Sequence, residues 1–410
     1  MAFRPVFIAV VVSFGLIVSA FLINRARPRP EIDQPSATLV RASGKCAECH
    51  ARQQYAVVHE YEMSRHAVKG VNCLECHQPS AGQSNQEHHG FTIATKLTAG
   101  NCRSCHESVY QEFLHSRHAA VSWAAVFGEQ GLKPEQVEFA ERYQPGYAKR
   151  PPHPFVALEG ASAMTSGCAN CHSIGKPNDD GTIGTCTACH TRHTSSVAIA
   201  RLPTTCGQCH MGPDHSQLEI YEESKHGIMF QAQERQLNLE APPGTLTTRD
   251  MFVPTCATCH MSGINGQKVT HDPSDRLSYY LADPITKARP NKTRAQEAMK
   301  LVCNQCHTRP LIDRIYADAE KVVADTNQKV QQASDLMAAL KQEGLLTAPF
   351  TKSIDFVFFD LWHYDGRTSK HGAFMGGADF VQWHGNYPML ARTVQLREQA
   401  EELRRRHGRP

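Results

Sequence analysis

The chain has 410 residues, of which 41% are hydrophobic and 20% charged, which disfavours both a disordered protein and a polytopic membrane protein. Its 43 Lys and Arg residues nearly balance 40 Asp and Glu residues, and the net charge of +3 lacks the concentrated basic excess of a nucleic-acid binder. No nucleic acid is therefore expected as a partner. The unusual counts are 16 cysteines and 23 histidines.

The N-terminus carries an apolar run from Val6 to Leu22, preceded by Arg4 and ended by Pro28 and Pro30. A run of roughly 17–20 residues is long enough to span a bilayer. We predict that residues 1–30 are an N-terminal signal anchor and linker that tethers the chain to a membrane. A cleaved signal peptide is the alternative. The proline-rich residues 25–36 are typical of a linker.

Every cysteine lies in a Cys-x-x-Cys-His motif, the attachment signature of c-type haem. The two thiols add to the haem vinyl groups, and the imidazole that follows binds the iron as the proximal ligand. The sequence therefore predicts eight covalently attached haem c groups. The predicted thiol attachments are Cys46, Cys49, Cys73, Cys76, Cys102, Cys105, Cys168, Cys171, Cys186, Cys189, Cys206, Cys209, Cys256, Cys259, Cys303 and Cys306. The predicted proximal ligands are His50, His77, His106, His172, His190, His210, His260 and His307.

Zinc sites and disulfides explain this pattern less well. A zinc site does not need a histidine directly after each second cysteine. A disulfide framework would not separate every cysteine from its partner by the same two residues. Because covalent haem is assembled outside the cytoplasmic membrane, we expect the protein on the periplasmic side of that membrane. It would be anchored there, or exported if the signal is cleaved.

The body and the C-terminal region differ in composition. Residues 31–310 are rich in Gly, Pro, Ser and Thr between motifs, so we predict an octahaem-binding domain of loops and short helices with almost no sheet. Residues 311–410 form a predicted C-terminal helical domain, with one helix over Ile312–Leu340 that stops near Gly344 and a second over about Pro388–Arg406. The predicted fold class is mainly α: a multihaem cytochrome c fold with a loop-rich body and long C-terminal helices.

Fifteen histidines lie outside the motifs, enough to give a second axial ligand to seven or to eight irons. A Ser-[Arg/Lys]-His-[Ala/Gly] pattern recurs, and its small last residue would let a porphyrin plane approach. The predicted distal ligands are His66, His118 and His226 from this pattern, with His89, His193, His271 and His384. His88 is the alternative to His89, and a plain surface histidine is the alternative for each.

Four segments are specific beyond the spacing of the haem motifs: Cys206–His215 (CGQCHMGPDH), Ser224–Gly227 (SKHG), Cys256–Gly263 (CATCHMSG) and His371–Gly385 (HGAFMGGADFVQWHG). In these segments the chain resembles the octahaem hydroxylamine oxidoreductase family. The resemblance extends from Cys46 to about Leu390.

The resemblance implies a catalytic haem at the fourth motif, Cys168–His172, whose iron has one open face. It also implies a distal acid–base pair at Asp214 and His215, with Tyr279 or Tyr280 as a third distal group. A histidine that titrates near neutrality beside an aspartate suits chemistry that moves several protons with several electrons. The alternatives are that His215 is an axial ligand and that Asp214 is a helix cap.

By this resemblance, the protein is a homotrimeric oxidoreductase that interconverts hydroxylamine and nitric oxide or nitrite. It would exchange electrons with a cytochrome or a quinone-linked partner. Oxidising family members cross-link a neighbouring subunit's tyrosine to the catalytic haem. The corresponding stretch here offers Phe374 and Phe380, with Tyr364 and Tyr387 nearby. A reductase of nitrite or hydroxylamine to ammonium is therefore an alternative, and a non-catalytic, membrane-tethered electron-transfer cytochrome is another.

Overall fold

The structure, a computed structural model, describes residues 13–16, 18–19, 22 and 44–408. Most of the predicted anchor, residues 6–22, and all of the predicted linker, residues 25–36, lie outside the described residues. Over the part of the chain that is described, no helix is both long enough and apolar enough to cross a membrane.

The described residues form two compact units, one of residues 44–73 with 192–194 and one of residues 74–191 with 195–408. The first unit contains helices α1 (Lys45–Gln53), α2 (Tyr55–Glu62) and α3 (Arg65–Val68). Ser64 caps α3, because its hydroxyl accepts a hydrogen bond of 3.0 Å from the Ala67 amide.

The second unit follows helix α4, Cys73–His77, and consists mostly of short helices. Its first half contains α5 (Ala99–Arg103), α6 (Glu107–Leu114), α7 (Ala120–Phe127), α8 (Pro134–Tyr143), α9 (Phe155–Leu158), α10 (Ala161–Ser166) and α11 (Cys168–His172). The next helices are α12 (Val197–Arg201), α13 (Pro203–Gly207), α14 (Gln217–Glu223), α15 (Lys225–Gln233), α16 (Cys256–His260) and α17 (Lys292–Cys303). The last are α18 (Arg309–Gln342), α19 (Ser353–Asp360), α20 (Arg367–Met375), α21 (Ala378–Val381) and α22 (Tyr387–Arg406).

Shorter elements complete this unit. Strands β1 (Asn85–His88) and β2 (Phe91–Ala94) pair antiparallel, with Asn85 opposite Ala94. This hairpin is the one sheet within the described residues. The 3₁₀ helices are Ser173–Gly175, Cys186–Ala188, Glu234–Gln236 and Ile264–Gly266, and the π-helical segments are Leu361–Gly366 and Gln382–Asn386. The prediction of a mainly helical, loop-rich body is confirmed.

The predicted C-terminal helices are also confirmed. The first is α18, and the chain leaves it through Gly344, whose φ of 72° is the left-handed conformation that favours glycine after a helix. The second is α22. Helices α18, α19 and α22 share a core that includes Val330, Leu340, Ile354, Leu361, Met389 and Leu396. The division of the chain into domains at residue 310 stays a prediction.

Candidate active site

The haem-binding motifs are compact helical turns. Helices α4, α11 and α16 each begin at the first motif cysteine and end at the motif histidine. Because residues three and four apart lie on one face of a helix, the two thiols and the imidazole of each such motif point to the same side. The motif residues therefore fit covalent attachment of haem c.

The motif imidazoles are oriented by hydrogen bonds at Nδ1. His172 Nδ1 lies 2.6 Å from the backbone oxygen of Ser122, and His210 Nδ1 lies 3.3 Å from Gln217 Oε1. An acceptor at Nδ1 fixes the proton on that nitrogen and leaves Nε2 to bind a metal. This is the tautomer that an iron ligand needs.

Three of the predicted distal histidines each face a motif histidine. The ring centroids are 5.8 Å apart for His118 and His210, 5.9 Å for His226 and His307, and 6.5 Å for His271 and His190. With metal–nitrogen bonds of about 2 Å on both sides of an iron, two opposite imidazoles have centroids about 6 Å apart. Each pair thus has the spacing of two axial ligands of one iron.

The other four predicted distal ligands stay predictions. His66 lies in α3, and His89 contacts the ring of His88. His193 Nδ1 lies 3.4 Å from a carboxylate oxygen of Glu60, and His384 Nε2 lies 3.1 Å from one of Asp379.

The recurring serine of the Ser-x-His-small pattern is a helix cap. Like Ser64 at α3, Ser224 caps α15 by accepting a hydrogen bond of 3.2 Å from the Gly227 amide. A Cβ on Gly227 would lie 2.0 Å from the backbone oxygen of Tyr221. The preceding helix by itself therefore requires a small residue at this position, and the approach of a porphyrin plane stays a prediction.

Thiols of motifs that are distant in sequence meet in the structure. The pKa of Cys102 is raised by the neighbouring Cys186 thiol and by burial, and the pKa of Cys206 by the neighbouring Cys256 thiol and by burial. Burial raises the pKa of Cys209 of the sixth motif to about 12, and the neighbouring Cys171 thiol of the fourth motif contributes to that rise. The attachment points of the fourth and sixth motifs are therefore neighbours.

Asp214 is the centre of a polar cluster. Its Oδ2 lies 2.7 Å from His215 Nδ1, and its Oδ1 lies 2.8 Å from His363 Nδ1. Arg367 Nη1 donates a hydrogen bond of 2.8 Å to the same Oδ1. Burial by itself would raise the pKa of Asp214, but the contacts from His215 and His363 outweigh it and hold that pKa well below its ordinary range.

The cluster lies beside the fourth haem motif. Burial is the main cause that lowers the pKa of His172, and His215, Asp214 and Arg367 are all close enough to act on it. The pKa of Cys168 is raised, first by burial, and Asp214 contributes to that shift. The structure therefore brings the predicted pair to the motif where the resemblance implies the catalytic haem.

This geometry assigns different tasks to the two members of the pair. Asp214 is held as a carboxylate by the hydrogen bond from Arg367 and by the close rings of His215 and His363, so it is a poor proton donor near neutral pH. Its contact with Nδ1 of His215 leaves Nε2 of that ring to exchange a proton with a bound molecule. Asp214 orients His215, and His215 is the candidate acid and base.

Sequence reasoning missed His363 and Arg367. Both lie where the π-helical segment Leu361–Gly366 joins α20, and π-helical turns occur frequently at functional sites. Arg367 Nε also donates to the backbone oxygen of Ala282 at 2.8 Å, which fixes the guanidinium. The available signal was that His363 is one of the fifteen histidines outside the motifs.

The predicted tyrosines have other partners. The Tyr279 hydroxyl donates a hydrogen bond of 2.7 Å to Glu320, and Tyr280 is buried against the ring of Tyr147. The structure therefore does not join either tyrosine to Asp214. Tyr364 is close enough to Asp214 to feel its charge. The pKa of the Tyr364 phenol is raised first by burial and next by that charge. A role for Tyr279 or Tyr280 as third distal group stays a prediction.

Comparison with known proteins gives the family. A family model described as "Seven times multi-haem cytochrome CxxCH" matches residues 69–353, which contain the last seven motifs. The chain belongs to this multihaem cytochrome family. The comparisons thereby confirm that the chain resembles multihaem cytochromes of the hydroxylamine oxidoreductase (HAO) type.

Individual relatives agree with this membership. A "probable nitrite reductase-hydroxylamine oxidoreductase fusion protein" of Kuenenia stuttgartiensis is 28% identical over an alignment of 269 residues, and the match covers 57% of this chain and 27% of the relative. The chain thus spans about a quarter of that relative's length. A solved "hypothetical multiheme protein" has a TM-score of 0.76 at 19% identity, over 92% of this chain and 98% of its own. A chain of the Kuenenia stuttgartiensis "reducing HAO-like protein complex" has a TM-score of 0.66 at 20% identity. That match covers 93% of this chain and 89% of the other.

This multihaem cytochrome also buries a lysine near the cluster. Lys370 is fully buried, and its ammonium donates hydrogen bonds to the backbone oxygen of Asp283 at 2.9 Å and to Thr286 Oγ1 at 2.8 Å. Burial, and next the charge of Arg367, lowers the pKa of Lys370 to about 7. The site therefore holds a second cation whose charge depends on pH near neutrality.

We expect Lys370 to make the stability of the protein depend on pH. Because its pKa in the folded state is below the value of about 10.4 for an unfolded chain, the unfolded chain binds more protons between pH 7 and 10. The free energy of unfolding should therefore rise with pH in that window. Unfolding by guanidinium at pH 7 and 9 should show a smaller rise in Lys370→Met than in the wild type. Lys321→Met, at an exposed site, is the control, and an unchanged rise in Lys370→Met would contradict the assignment.

Proposed function

We propose that this protein is an octahaem oxidoreductase that interconverts hydroxylamine and nitric oxide or nitrite at one open haem. That haem is attached at Cys168 and Cys171 with His172 as its proximal ligand. The observation that carries the proposal is the Asp214–His215 pair beside His172, with His215 held by a carboxylate and its Nε2 left for a substrate. The names of the relatives, which include nitrite reductase and hydroxylamine oxidoreductase, support the same substrate class.

When bound, the haem supplies an iron that binds a small nitrogen compound and exchanges electrons with it. The residues of the chain supply protons and position. His215 gives or takes a proton at Nε2, and Asp214 keeps the ring in place and stabilises its protonated form. Arg367 and His363 keep Asp214 ionised, so that the proton stays on His215 and not on the carboxylate.

Electrons need a route to the fourth motif. The proximity of Cys171 to Cys209, close enough to act on its pKa, supports a route through the sixth motif, and the proximity of Cys206 to Cys256 extends it to the seventh. We propose that an electron-transfer cytochrome or a quinone-linked protein completes this route, on the periplasmic side of the cytoplasmic membrane. The N-terminal apolar segment would be the anchor, or the export signal if it is cleaved.

A reductive direction, towards ammonium, is the second candidate. Phe380 is buried, and the ring of Phe374 packs against Tyr279 and Tyr316 of the same chain, with centroid distances of 5.8 and 5.7 Å. Neither ring has a hydroxyl for a cross-link to a neighbour's haem. This favours an uncross-linked catalytic haem and therefore a reductive capacity.

We also propose a homotrimer, because α22 presents an apolar stripe to solvent. Trp383, Tyr387, Leu390 and Val394 follow one another at helical spacing and are 50–60% exposed. The stripe borders a groove between α18 and α22 whose lining includes Leu390 and Val394. Exposed apolar side chains in a continuous stripe are typical of a surface that binds another protein.

The proposed function is tested by the state of the irons. The purified protein should carry eight haems by mass, with a high-spin signal from one of them, and cyanide should abolish that signal. With dithionite it should consume nitrite or hydroxylamine, and hydroxylamine alone should reduce its haems if it also runs oxidatively. Spectra with low-spin iron alone, unchanged by cyanide or nitric oxide, would favour the electron-transfer cytochrome instead.

A further inference from the structure

Arg289 is a buried cation whose charge has no hydrogen-bonded partner. The residue is 6% exposed, and neither Nε nor Nη1 has a hydrogen-bond partner among the described residues. Removing a charged N–H donor from water is costly unless another acceptor takes the place of the water. An acceptor that is not a side chain of the described protein is therefore expected at this guanidinium.

A second guanidinium approaches the same place. Arg289 lies over the ring of Tyr280 at 5.2 Å, and Arg117 lies over the same ring at 5.8 Å and over that of Tyr147 at 4.5 Å. Burial lowers the pKa of Arg289, and the positive charge of Arg117 lowers it further. Because two guanidinium groups repel each other in a partly buried site, a bound anion would stabilise them there.

The nearby carboxylate is engaged elsewhere. Asp272 acts on Arg289 through its charge, but its Oδ1 accepts hydrogen bonds from the amide of Ser274 at 2.9 Å and from the hydroxyl of that residue at 2.5 Å. Asp272 therefore does not supply the acceptor for Nε and Nη1 of Arg289.

The position in the chain indicates which anion belongs here. Arg117 directly precedes His118, whose ring faces His210 of the sixth motif at 5.8 Å. Haem carries two propionate carboxylates, and the planar fork of arginine binds a carboxylate through two parallel hydrogen bonds. We propose that Arg289 and Arg117 bind a propionate carboxylate of the haem attached at Cys206 and Cys209.

Such a contact sets the reduction potential of that haem. The arginines compensate the negative charge of the propionate, which otherwise stabilises the oxidised iron, the more positive of the two states. Removing one arginine should therefore favour the oxidised state and lower the potential. Because Arg289 is the more buried and its Nε and Nη1 have no hydrogen-bond partner among the described residues, its removal should have the larger effect.

The test is a spectroelectrochemical titration of the fully haem-loaded protein. Arg289→Gln should make reduction of one haem about tenfold less favourable, a shift of about 59 mV for one electron. Arg289→Lys, which keeps the charge but loses the planar fork, should shift the same haem less. Arg117→Gln should act on that haem too, and the double variant should depart from the sum of the single shifts, since both arginines bind one group. Arg249→Gln, at an exposed site, is the control.

The outcomes separate the possible anions. Potentials that stay unchanged in folded, haem-loaded Arg289→Gln would overturn the proposal. A raised KM for nitrite with unchanged potentials would also overturn it, because it would assign the arginines to a free oxyanion. If Arg289→Gln does not fold, Arg289→Lys and Arg117→Gln give the same readout. The titration needs no turnover, so its result is independent of whether the protein acts on nitrogen compounds.

Discussion

Replacing His215 with alanine is expected to lower turnover of nitrite or hydroxylamine by roughly 10²–10⁴-fold, the usual contribution of a general acid or base. The reason is that Nδ1 of His215 is held by Asp214, while Nε2 remains for a substrate beside the fourth motif. Haem content and the single high-spin signal should not change. Steady-state kinetics, haem quantification and electron paramagnetic resonance measure the three quantities, and His407→Ala, in the exposed tail, is the control.

The competing role of His215 is as an axial ligand. Two rings lie at similar distances from His210: His118 at 5.8 Å and His215 at 5.9 Å. His118→Ala should therefore convert one low-spin haem to high-spin, and His215→Ala should not. If His215→Ala produces a second high-spin haem, His215 is the axial ligand and its assignment as acid and base is wrong.

Asp214→Asn tests the orienting role of the carboxylate. An amide cannot stabilise a protonated His215, so turnover should fall by a factor in the same range, roughly 10²–10⁴. Haem content should stay constant, as it should in Asp318→Asn, whose side chain is exposed. Turnover close to that of the wild type would assign Asp214 a structural role, as in the helix-cap alternative.

The sequence alone identified the parts of this site that depend on local spacing. Covalent haem attachment needs two thiols and an imidazole on one helical turn. Five consecutive residues are therefore enough to recognise an attachment site. Asp214 and His215 follow the sixth motif directly, and the family pattern places them by position. The long helix α18 was predictable because apolar residues recur over many turns between Ile312 and Leu340, a stretch without Pro or Gly.

The partners of Asp214 could not be predicted in the same way. Arg367 is 153 positions from Asp214, and the fold, not a local pattern, brings them together. The role of Tyr279 or Tyr280 as a third distal group stays a prediction. Their position in the chain suggested a distal role, but the loop directs Tyr279 to Glu320 and buries Tyr280 against Tyr147.

Two of the predicted distal histidines have a recognisable local setting, and their assignment as ligands stays a prediction. His118 and His226 share the Ser-x-His-small pattern, in which the serine orients the chain before the histidine, and both face motif histidines. The physical reason first assigned to the small residue was incomplete, because Gly227 is required by the Tyr221 backbone. The small residue of the pattern was therefore visible in the sequence, but the contact with the Tyr221 backbone that requires it was visible only in the structure.

Replacing Leu390 and Val394 together with glutamate is expected to convert the proposed trimer to monomers. Both side chains are at least half exposed on α22, in the stripe that begins at Trp383, and two charges there would lose their water in a subunit interface. Sedimentation analysis at micromolar concentration measures the change. Gln395→Glu, at an exposed position of the same helix, adds a charge outside the stripe and should leave the trimer intact.

The same preparation tests the direction of catalysis, because a cross-link to a neighbour's haem survives denaturation. Tyr387 lies in the exposed stripe, while Tyr364 lies near Asp214 of its own chain, so Tyr387 is the residue placed to reach another subunit. We expect the wild type to be a trimer in sedimentation but to run as monomers on a haem-stained denaturing gel after boiling with reductant. Covalent trimers that disappear in Tyr387→Phe would instead establish the cross-link. They would favour the oxidative direction, because a haem distorted by such a bond withdraws electrons from its substrate.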